Sequence, residues 1–437
     1  MKNRTLISAL PSKLGEKATV AGWLHRLRDL KNFGFAILRD KTGLVQVVLN
    51  PAQLEQLKGL QVETVLTFTG TVVEKKSKDP SAPKEVEVQA ETMEVLSPVV
   101  DVLPVEISKP DMDVNLDTLL DNRVVTLRNL KTRAIFRVQA ALVRGYREYM
   151  EGQKFVEITF PVLAGAASEG GAEFFDVNYY GRQATLTQSA QLYKQITMGV
   201  FEGVFGLSYS FRAEKFGTSR HLTEFNQFEF ELGFVDSMDE IMDHAEAAIK
   251  HMLKVVEKDC AEEVALLGVT LPPTGTFPRV TLAEALELYK TEGGVDETHE
   301  PDLSPAAEKW ISTEWAPKKH NSGFVFVTHY PTKKRPFYAK QDPKNPDLTL
   351  SFDLVGFGSE IISGGLRLNR YEEQVKRLKE KGLNPDDFAD YLMMHKYGIP
   401  PEGGFGMGLQ RLTQNVLGLP NIKEATLFPR DVQRLRP

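Results

Sequence analysis

Apolar and polar residues alternate along two neighbouring segments near the middle of the chain. Alternation with a period of two predicts a strand with one buried face and one polar face. A charged loop separates the segments, so they predict a hairpin whose apolar positions are Phe205, Leu207, Tyr209, Phe211, Phe228, Phe230, Leu232 and Phe234. The hairpin would place its two polar faces side by side, and that shared face carries Arg212, Glu214, Glu229 and Glu231.

The shared polar face has the chemistry to bind a ligand that carries both a phosphate and an amine. The planar guanidinium of an arginine pairs with phosphate through two parallel hydrogen bonds, and carboxylates accept amino protons. The alternative for charges in an arbitrary hairpin is an ordinary solvated strand face.

The first hundred residues predict five short strands separated by Gly, Asn, Pro and Lys turns. This number and spacing fit a small closed barrel of the OB type, a common carrier of single-stranded nucleic acid. A basic cluster precedes two aromatic residues, a combination suited to unpaired bases, although core aromatics beside a solvated basic turn would give the same pattern. The strands are Thr19–Leu24, Phe33–Arg39, Val45–Leu49, Val62–Val73 and Val86–Val95, and the cluster is Arg26, Arg28 and Lys31 before Phe33 and Phe35.

Helical patterns flank the hairpin on both sides. Thr132 to Met150 carries one apolar stripe and predicts a helix, and the strand after it runs into Pro161. Ser237 and Glu240 predict a capping box for a helix that continues through Glu257. Further helices are predicted at Tyr371–Lys381 and Pro385–Lys396, whereas residues 259–345 have less pattern and several prolines.

Two short segments before the hairpin contain candidate binding residues. Residues 167–173 are small and Gly-rich, which predicts a loop that either closes over a ligand amine with Glu169 or forms a simple surface turn. Gln191 and Lys194 lie about one helical turn apart and can face one pocket. A lone lysine on a helix is more often solvated.

Two segments near the C-terminus contain glycines beside polar residues. In Leu350–Leu368, Glu360 and Ser363 offer oxygen ligands for Mg²⁺, and the glycine pair before Arg367 lets that side chain approach a small ligand. The later run from Gly403 to Leu412 is a Gly-rich turn before a helix, which is a weak signal for nucleotide binding by itself.

Composition sets broad limits on these interpretations. A chain of 437 residues is too long for one core and predicts two or three domains. The net charge of −6 does not exclude nucleic acid, because residues 1–50 alone contain nine Lys or Arg against three Asp or Glu. Cys260 is the only cysteine, which excludes an intrachain disulfide and fits a reducing cytoplasm. No signal peptide or membrane span is predicted.

The segments together resemble the class II aminoacyl-tRNA synthetases. Phe-Arg-Ala-Glu, a loop and Arg-His-Leu-Thr-Glu-Phe resemble their motif 2, the helix and strand leading to Pro161 resemble motif 1, and GGFGMGLQRL resembles motif 3. AGWLHRLRDL, FAILRD and GLVQVV resemble, in that order, the anticodon-binding domain of aspartyl-, asparaginyl- and lysyl-tRNA synthetases. The resemblance covers nearly the whole chain and points to the aspartyl enzymes of archaeal type.

That resemblance implies an α+β architecture and a homodimer formed through motif 1. The expected domains are an OB-fold anticodon-binding barrel at residues 1–104, a hinge at 105–131 and a class II catalytic domain at 132–437, an antiparallel sheet flanked by helices. A short insertion at about 259–345 separates motifs 2 and 3.

The implied reaction joins L-aspartate to ATP, giving aspartyl-adenylate and pyrophosphate, and then passes the aspartyl group to the 3′ end of tRNA. Positioning and electrostatic stabilisation dominate such catalysis. By resemblance, the catalytic residues are Arg212, Glu360 and Arg411. The ATP-binding set is Arg212, Glu214, Arg220, His221, Leu222, Phe225, Glu360, Gly408 and Arg411, with Glu360 and Ser363 holding Mg²⁺.

The resemblance also implies how aspartate is selected over asparagine. Lys194 and Arg367 would converge on the side-chain carboxylate, and asparagine would leave both cations without an anion, at a cost of about 3–5 kcal/mol. The remaining aspartate-binding residues would be Glu169, Gln191, Arg212 and Ser363.

The sequence departs from the family pattern at two positions. Gln410 replaces the acid that usually precedes the arginine of motif 3. Leu366 replaces a residue that is often Gln, which would remove a polar contact from the pocket wall.

Recognition of tRNA is implied at two sets of positions in the barrel. Phe35 would stack on an anticodon base, and Gln46 would recognise the central uridine with Arg28 nearby. His25 and Pro83 resemble the relaxed form of the enzyme that charges both tRNA(Asp) and tRNA(Asn). A relaxed enzyme implies a tRNA-dependent amidotransferase as a partner.

Four other functions fit parts of the same sequence. An enzyme restricted to tRNA(Asp) and an asparaginyl-tRNA synthetase share the architecture, although asparaginyl enzymes lack a lysine at the position of Lys194. A tRNA-independent amidoligase would not need the barrel, and a non-catalytic RNA-binding protein would not need Arg212, Glu360, Arg367 and Arg411.

Overall fold

The computed structural model describes residues 3–30, 33–75, 85–165, 173–215 and 217–437. The chain divides into two compact units, with the boundary between Leu130 and Lys131. Within these described ranges, no helix is long and apolar enough to cross a membrane.

The N-terminal unit is a closed five-stranded barrel with the strand order β1-β2-β3-β5-β4. Its strands are β1 (Lys17–Asp29), β2 (Gly34–Asp40), β3 (Gly43–Leu49), β4 (Val65–Glu74) and β5 (Val86–Ser97). Val20, Leu38, Val47, Phe68 and Val88 fill the barrel and are fully buried. The predicted five-stranded barrel is therefore confirmed.

Helical segments surround the barrel strands. The sequence pattern does not predict α1 (Pro51–Leu57), which begins with a complete capping box between Asn50 and Gln53. The other helices of this unit are a 3₁₀ segment (Ile7–Lys13), α2 (Leu116–Asp121) and α3 (Arg123–Thr126).

The C-terminal unit is built on an eight-stranded sheet. Its strands are β6 (Val156–Glu157), β10 (Gly203–Phe211), β11 (Glu224–Gly233), β12 (Arg279–Thr281), β13 (Phe324–Thr328), β16 (Ser351–Gly356), β17 (Ser359–Leu366) and β18 (Glu402–Gly408). The order is β12-β13-β16-β17-β18-β11-β10-β6, antiparallel throughout except for the parallel pairings of β12 and β6 at the two edges.

Two small sheets and several helices complete this unit. The small sheets contain β7 (Leu163–Ala164), β8 (Asp176–Tyr179) and β9 (Arg182–Leu186), and β14 (Gln341–Asp342) with β15 (Asn345–Thr349). The helices are α4 (Leu130–Gly152), α5 (Gln191–Phe201), α6 (Met238–Asp259), α7 (Ala261–Leu267), α8 (Leu282–Thr291), α9 (Pro305–Trp310), α10 (Ala316–His320), α11 (Tyr371–Glu380), α12 (Ala389–Lys396) and α13 (Leu409–Val416), with a π-helical turn (Ile311–Trp315) and 3₁₀ segments (Pro385–Phe388 and Ile422–Ala425).

The large sheet has an apolar face covered by α4 and α6. Phe205, Phe228 and Phe230 of the predicted hairpin are buried in this core with residues of both helices. The Tyr146 hydroxyl of α4 donates to the Glu229 carbonyl at 2.8 Å, which joins that helix to the hairpin. Both the hairpin and the two long helices are therefore confirmed, but the predicted burial of Tyr209 and Phe234 is wrong, since both are exposed and Phe234 lies beyond the end of β11.

The predicted capping box at the start of α6 is wrong. Ser237 is the residue before the helix, but its side chain makes no capping hydrogen bond. Met238, Ile241 and Met242 are buried in the core, so packing of this apolar face holds the first turn in place without the cap.

Candidate active site

A cavity of about 460 Å³ opens on the polar face of the sheet. Segments far apart in the C-terminal unit contribute to its walls, among them α5, the β10–β11 hairpin, residues 334–339, β17 and the junction of β18 with α13. The predicted residues that line it are Gln191, Lys194, Arg212, Glu214, Arg220, His221, Leu222, Phe225, Glu360, Ser363, Arg367, Gly408 and Arg411. Glu169 lies outside the described residues.

Lys194 lies at one end of the cavity and is almost fully buried. Its ammonium donates to Glu229 Oε2 and to the Phe405 carbonyl, both at 2.9 Å, and lies 3.3 Å from Glu231 Oε2. Three neighbours therefore surround the three N–H donors of this lysine. The sequence left open whether Lys194 is solvated or faces a pocket. Its burial excludes the solvated position.

Arg367 lies beside Lys194 and shares one of its carboxylates. Its Nε donates to Glu231 Oε1 at 2.8 Å, and its Nη2 donates to the Gly404 carbonyl at 2.9 Å and to Gln191 Oε1 at 3.4 Å. All of these bonds are donated by Nε and Nη2. Within the described part of the chain, the two Nη1 protons therefore remain available to a ligand. Both cations therefore face one compartment.

The structure changes the expected electrostatics of this compartment. Glu229 and Glu231 already balance the charges of Lys194 and Arg367, so the expectation of two cations without an anion is wrong for the ligand-free protein. A ligand carboxylate would have to share the cations with Glu231 or replace it as their partner. Burial raises the pKa of Glu229, and the nearby Lys194 opposes that shift.

A fifth ionisable group, Glu402, is buried close to this cluster. Gln195 Nε2 donates to Glu402 Oε1 at 2.8 Å. Burial and the neighbouring Glu231 raise the pKa of Glu402 well above its usual range, against the effects of Arg367 and Lys194. Burial therefore favours the protonated form of Glu402 relative to an exposed glutamate.

Gly404 lets the Glu231 side chain reach Arg367. β18 pairs with β11 so that Gly404 lies opposite Glu231. A Cβ atom at this glycine would overlap the carbonyl of Phe230 and the carboxylate of Glu231. The Gly-rich strand thus serves close packing of a side chain against the main chain at this position.

Arg212 and Phe225 lie further along the same face. The Arg212 guanidinium lies 5.3 Å from the centre of the Phe225 ring. The Nε atom of Arg212 is buried and has no hydrogen-bond partner among the described residues. A buried donor that faces no protein acceptor is costly, so this arrangement favours an anionic ligand.

The loop between β10 and β11 contributes Glu214, Arg220 and His221. His221 Nε2 lies 3.8 Å from Glu214 Oε2. Arg220 Nη2 donates to the Gly358 carbonyl at 3.3 Å. Arg220 also lines the cavity, so the loop adds a further cation to the one that Arg212 provides.

The first turn of α13 places Arg411 against Glu360. The Gly-rich segment before it, predicted as a turn, is strand β18, so that prediction is wrong. Arg411 Nη1 donates to the Glu360 carbonyl at 3.1 Å and lies 3.8 Å from Glu360 Oε1. Gln410, which departs from the family pattern, makes two hydrogen bonds with Asn226. Its Oε1 accepts from the main-chain N–H of Asn226, and its Nε2 donates to the side-chain Oδ1 of Asn226, both at 2.9 Å. An amide thus joins α13 to β11.

Leu366, the second departure, lies on the opposite side of the sheet. It is buried in the core with Ile362, whereas Ser363 and Arg367 line the cavity. Leu366 therefore cannot remove a polar contact from the pocket wall, and that expectation is wrong. The period-two alternation of β17 explains the position, since residues 362, 364 and 366 share one face.

Glu360 and Ser363 have surroundings that suit a divalent cation. Burial and the neighbouring Asp353 raise the pKa of Glu360 to about 7, against Arg411, Arg335 and Arg212. Asp353 Oδ1 is also buried without a hydrogen-bond partner among the described residues. A cation would relieve both costs, so the residues fit Mg²⁺.

The protein supplies only part of a coordination shell. Over the described ranges, no group of three or more His, Cys, Asp or Glu side chains could hold a metal ion. Mg²⁺ commonly binds through one or two carboxylates together with waters and substrate phosphates. The site therefore suits a cation that arrives with a nucleotide.

Arg335 and Asp353 are site residues that sequence reasoning missed. Arg335 donates to Ser363 Oγ at 3.1 Å and to Asp353 Oδ2 at 2.7 Å, and it lies 3.9 Å from the centre of the Tyr330 ring. Arg335 falls in the segment with little periodic pattern. The only local signal is the Lys-Lys-Arg run before Pro336, and further missed lining residues include Ser189, Gln227, Lys334 and Tyr338.

The barrel carries the residues expected to contact an anticodon. Arg28 lies opposite Phe35 in the β1–β2 pairing, and the rings of Phe33 and Phe35 meet edge to face at 5.4 Å. The Gln46 amide is buried and donates to Glu87 Oε2 at 2.7 Å. His25 is the buried bulge residue between Leu24 and Arg26, and Lys31 and Pro83 lie outside the described residues.

The arrangement defines a class of protein. A mostly antiparallel sheet carries two arginines, an aromatic ring and a cation site on one face, and a separate barrel presents an aromatic pair. This combination is that of an enzyme that activates a small acid with a nucleotide and also binds nucleic acid.

Family models give the same result. The model for tRNA synthetases class II (D, K and N) matches residues 115–432, and the model for an OB-fold nucleic acid binding domain matches residues 18–96. This chain belongs to the class II tRNA synthetases of the D, K and N group.

Individual relatives cover the chain from end to end. It is 44% identical to an Aspartate--tRNA(Asp/Asn) ligase of Thermus thermophilus over 99% of this chain and 100% of that protein. It is 40% identical to the protein of the same name from Deinococcus radiodurans, over 99% of each. Among solved structures, asparaginyl-tRNA synthetase from Pyrococcus horikoshii complexed with asparaginyl-adenylate matches with a TM-score of 0.90 and 31% identity over 100% of both chains.

Proposed function

We propose that this chain ligates L-aspartate to tRNA through an aspartyl-adenylate, using ATP and Mg²⁺, and that it charges both tRNA(Asp) and tRNA(Asn). One observation carries the choice of amino acid. Lys194 and Arg367 are buried side by side in the cavity that also contains Arg212, Phe225 and Arg411. The relatives named Aspartate--tRNA(Asp/Asn) ligase support the same assignment.

In the first step, an oxygen of the aspartate α-carboxylate attacks the α-phosphorus of ATP. The bond to the β-phosphate breaks, and pyrophosphate leaves. Arg212 would contact both the α-phosphate and the attacking carboxylate, which holds the reacting atoms together and stabilises the developing charge. Mg²⁺ held by Glu360 and Ser363 would supply further positive charge at the phosphates.

The nucleotide would lie between the β10–β11 hairpin and the first turn of α13. Phe225 and Arg411 would enclose the adenine ring, and Glu214 would accept a hydrogen bond from its amino group. Arg220 and His221 would contact the outer phosphates. Leu222 and Gly408 line the same part of the cavity.

In the second step, a ribose hydroxyl at the 3′ end of tRNA attacks the carbonyl carbon of the adenylate. The bond to the phosphate oxygen breaks, and AMP leaves. The residues that bind aspartate keep the acyl group in place during this transfer.

Charge is the basis for selecting aspartate. The Nη1 donors of Arg367 would bind the side-chain carboxylate directly, and the ammonium of Lys194 would attract it while sharing its contact with Glu231 or exchanging it for the ligand. Asparagine offers no anion to these groups. Glu169, Gln191 and Ser363 would contact the ammonium group and main-chain part of the substrate.

A charging assay tests the relaxed tRNA selection that His25 and Pro83 suggest. We expect labelled aspartate to become attached to transcripts of both tRNA(Asp) and tRNA(Asn). A transcript of an unrelated tRNA is the control. Product on tRNA(Asp) alone would refute the relaxed assignment while leaving aspartate activation intact.

Replacement of Phe35 by Ala tests the anticodon contact. Stacking of a base on an aromatic ring contributes about 1–3 kcal/mol, so we expect the KM for tRNA to rise roughly 5- to 150-fold. Aspartate-dependent pyrophosphate exchange without tRNA should not change. Tyr180→Ala is the control, because that tyrosine is exposed on a turn of the other unit. An unchanged KM for tRNA would remove Phe35 from the interface.

We further propose that the enzyme is a cytoplasmic homodimer and that a tRNA-dependent amidotransferase uses its aspartyl-tRNA(Asn). β6 is an edge strand of the large sheet, and its Val156 is partly exposed, which supports pairing with a second copy there. Sedimentation of the protein at several concentrations would test the dimer.

A further inference from the structure

Glu308 belongs to α9, and its carboxylate lies near Arg220 of the loop between β10 and β11. Its Oε2 lies 3.6 Å from Arg220 Nη1. The side chain is mostly buried, whereas that of Arg220 is about half exposed. The segment that carries Glu308 has little periodic pattern, so the sequence gives no sign of this contact.

The same arginine is held from a second side by the turn between β16 and β17. Arg220 Nη2 donates to the Gly358 carbonyl at 3.3 Å. Ser312 fixes that turn to the helical segment of Glu308, since its hydroxyl donates to the Glu308 carbonyl at 2.7 Å and accepts from the Gly358 amide at 2.9 Å. Two linked anchors therefore determine the direction of one guanidinium.

The burial of Glu308 shows that its contact with Arg220 is not a solvated surface pair. The Glu308 side chain is only 17% exposed, and the guanidinium of the partly exposed Arg220 lies beside its carboxylate. A carboxylate that has lost much of its hydration is stabilised by a neighbouring cation.

We propose that Glu308 is a positioning residue that orients Arg220 toward the outer phosphates of ATP. This inference rests on the proposed function. A guanidinium has five N–H donors in a fixed plane. With one edge held by Glu308 and the Gly358 carbonyl, its remaining donors face the cavity that Arg220 lines. The α9 segment of the insertion thereby acts on nucleotide binding without contacting substrate.

A double-mutant cycle with full-length protein tests this role. We expect Glu308→Gln to raise the KM for ATP in aspartate-dependent pyrophosphate exchange about tenfold, because Arg220 loses the charged partner of its ion pair. Glu308→Asp should retain part of the effect of the native residue. In an Arg220→Ala background, Glu308→Gln should change the KM less than about twofold, because the two residues act together.

A positioning role and a purely structural role predict different rates for the second step. If Glu308 positions Arg220, the rate of aspartyl transfer from preformed adenylate to tRNA should be unchanged in Glu308→Gln, since the outer phosphates have already left. A purely structural role predicts that this rate falls as well. Glu314→Gln is the matched control, because Glu314 lies one to two turns further on and pairs with exposed Lys318. Additive effects of Glu308→Gln and Arg220→Ala, or equal losses in both steps, would overturn the proposal. Absence of exchange in the unmodified protein would instead refute the proposed function.

Discussion

Replacement of Arg212 by Ala should reduce aspartate-dependent pyrophosphate exchange by about 10³-fold or more, mainly through kcat. Removal of a single group that stabilises developing charge costs about 10²–10³-fold in other enzymes, and Arg212 would contact both reacting partners. Its buried Nε has no acceptor among the described residues, so the side chain is already directed at a ligand.

Arg279→Ala provides a matched control for this substitution. Arg279 also lies over a phenylalanine ring, at 5.7 Å from the centre of Phe326, but it pairs with Asp239 and Asp243 on the surface. This control variant should keep its exchange activity. Exchange by Arg212→Ala within tenfold of the unmodified rate would show that Arg212 is not a catalytic residue.

Replacement of Lys194 by Met should lower kcat/KM for aspartate on the order of a thousandfold. Breaking a buried ion pair by removing one partner costs about 3–5 kcal/mol, because it leaves an uncompensated charge. Among the described ion pairs, the loss would leave Glu229 without a cation in direct contact and Glu231 with Arg367 alone. A negatively charged substrate would then meet excess negative charge.

The same variant should lose its preference for aspartate over asparagine. The measurement is pyrophosphate exchange with each amino acid, accompanied by a thermal melt to confirm that the protein is folded. Lys250→Met is the control, because Lys250 pairs with Glu246 one helical turn away near the surface. Unchanged discrimination in Lys194→Met would place the recognition of the carboxylate elsewhere.

Local pattern was sufficient to predict the strands and helices that frame the site. The hairpin was predictable because its period-two alternation is dictated by burial on one side of a sheet. Cavity residues on it and near the glycines of β17 and β18 were therefore placed correctly. The resemblance supplied their proposed roles, which the pattern alone could not.

Residues that depend on contacts distant in sequence were not predictable in this way. Arg335 lines the cavity, and Asp353 and Glu308 contact lining arginines, because loops and strands far apart in the chain converge there. The pairing of Lys194 and Arg367 with carboxylates of the protein was missed for the same reason. Whether a strand carboxylate faces solvent or a buried lysine depends on which helix covers it, and Lys194 of α5 covers Glu229.

Gly404 gives the amino-acid pocket an unusual resistance to gradual change. The Phe230 carbonyl of β11 and the Glu231 carboxylate occupy the volume where a side chain would begin, so even a methyl group there would displace the anion between the two cations. Descendants of this protein that adopt a new substrate would have to start at other positions, because this one admits no intermediate size.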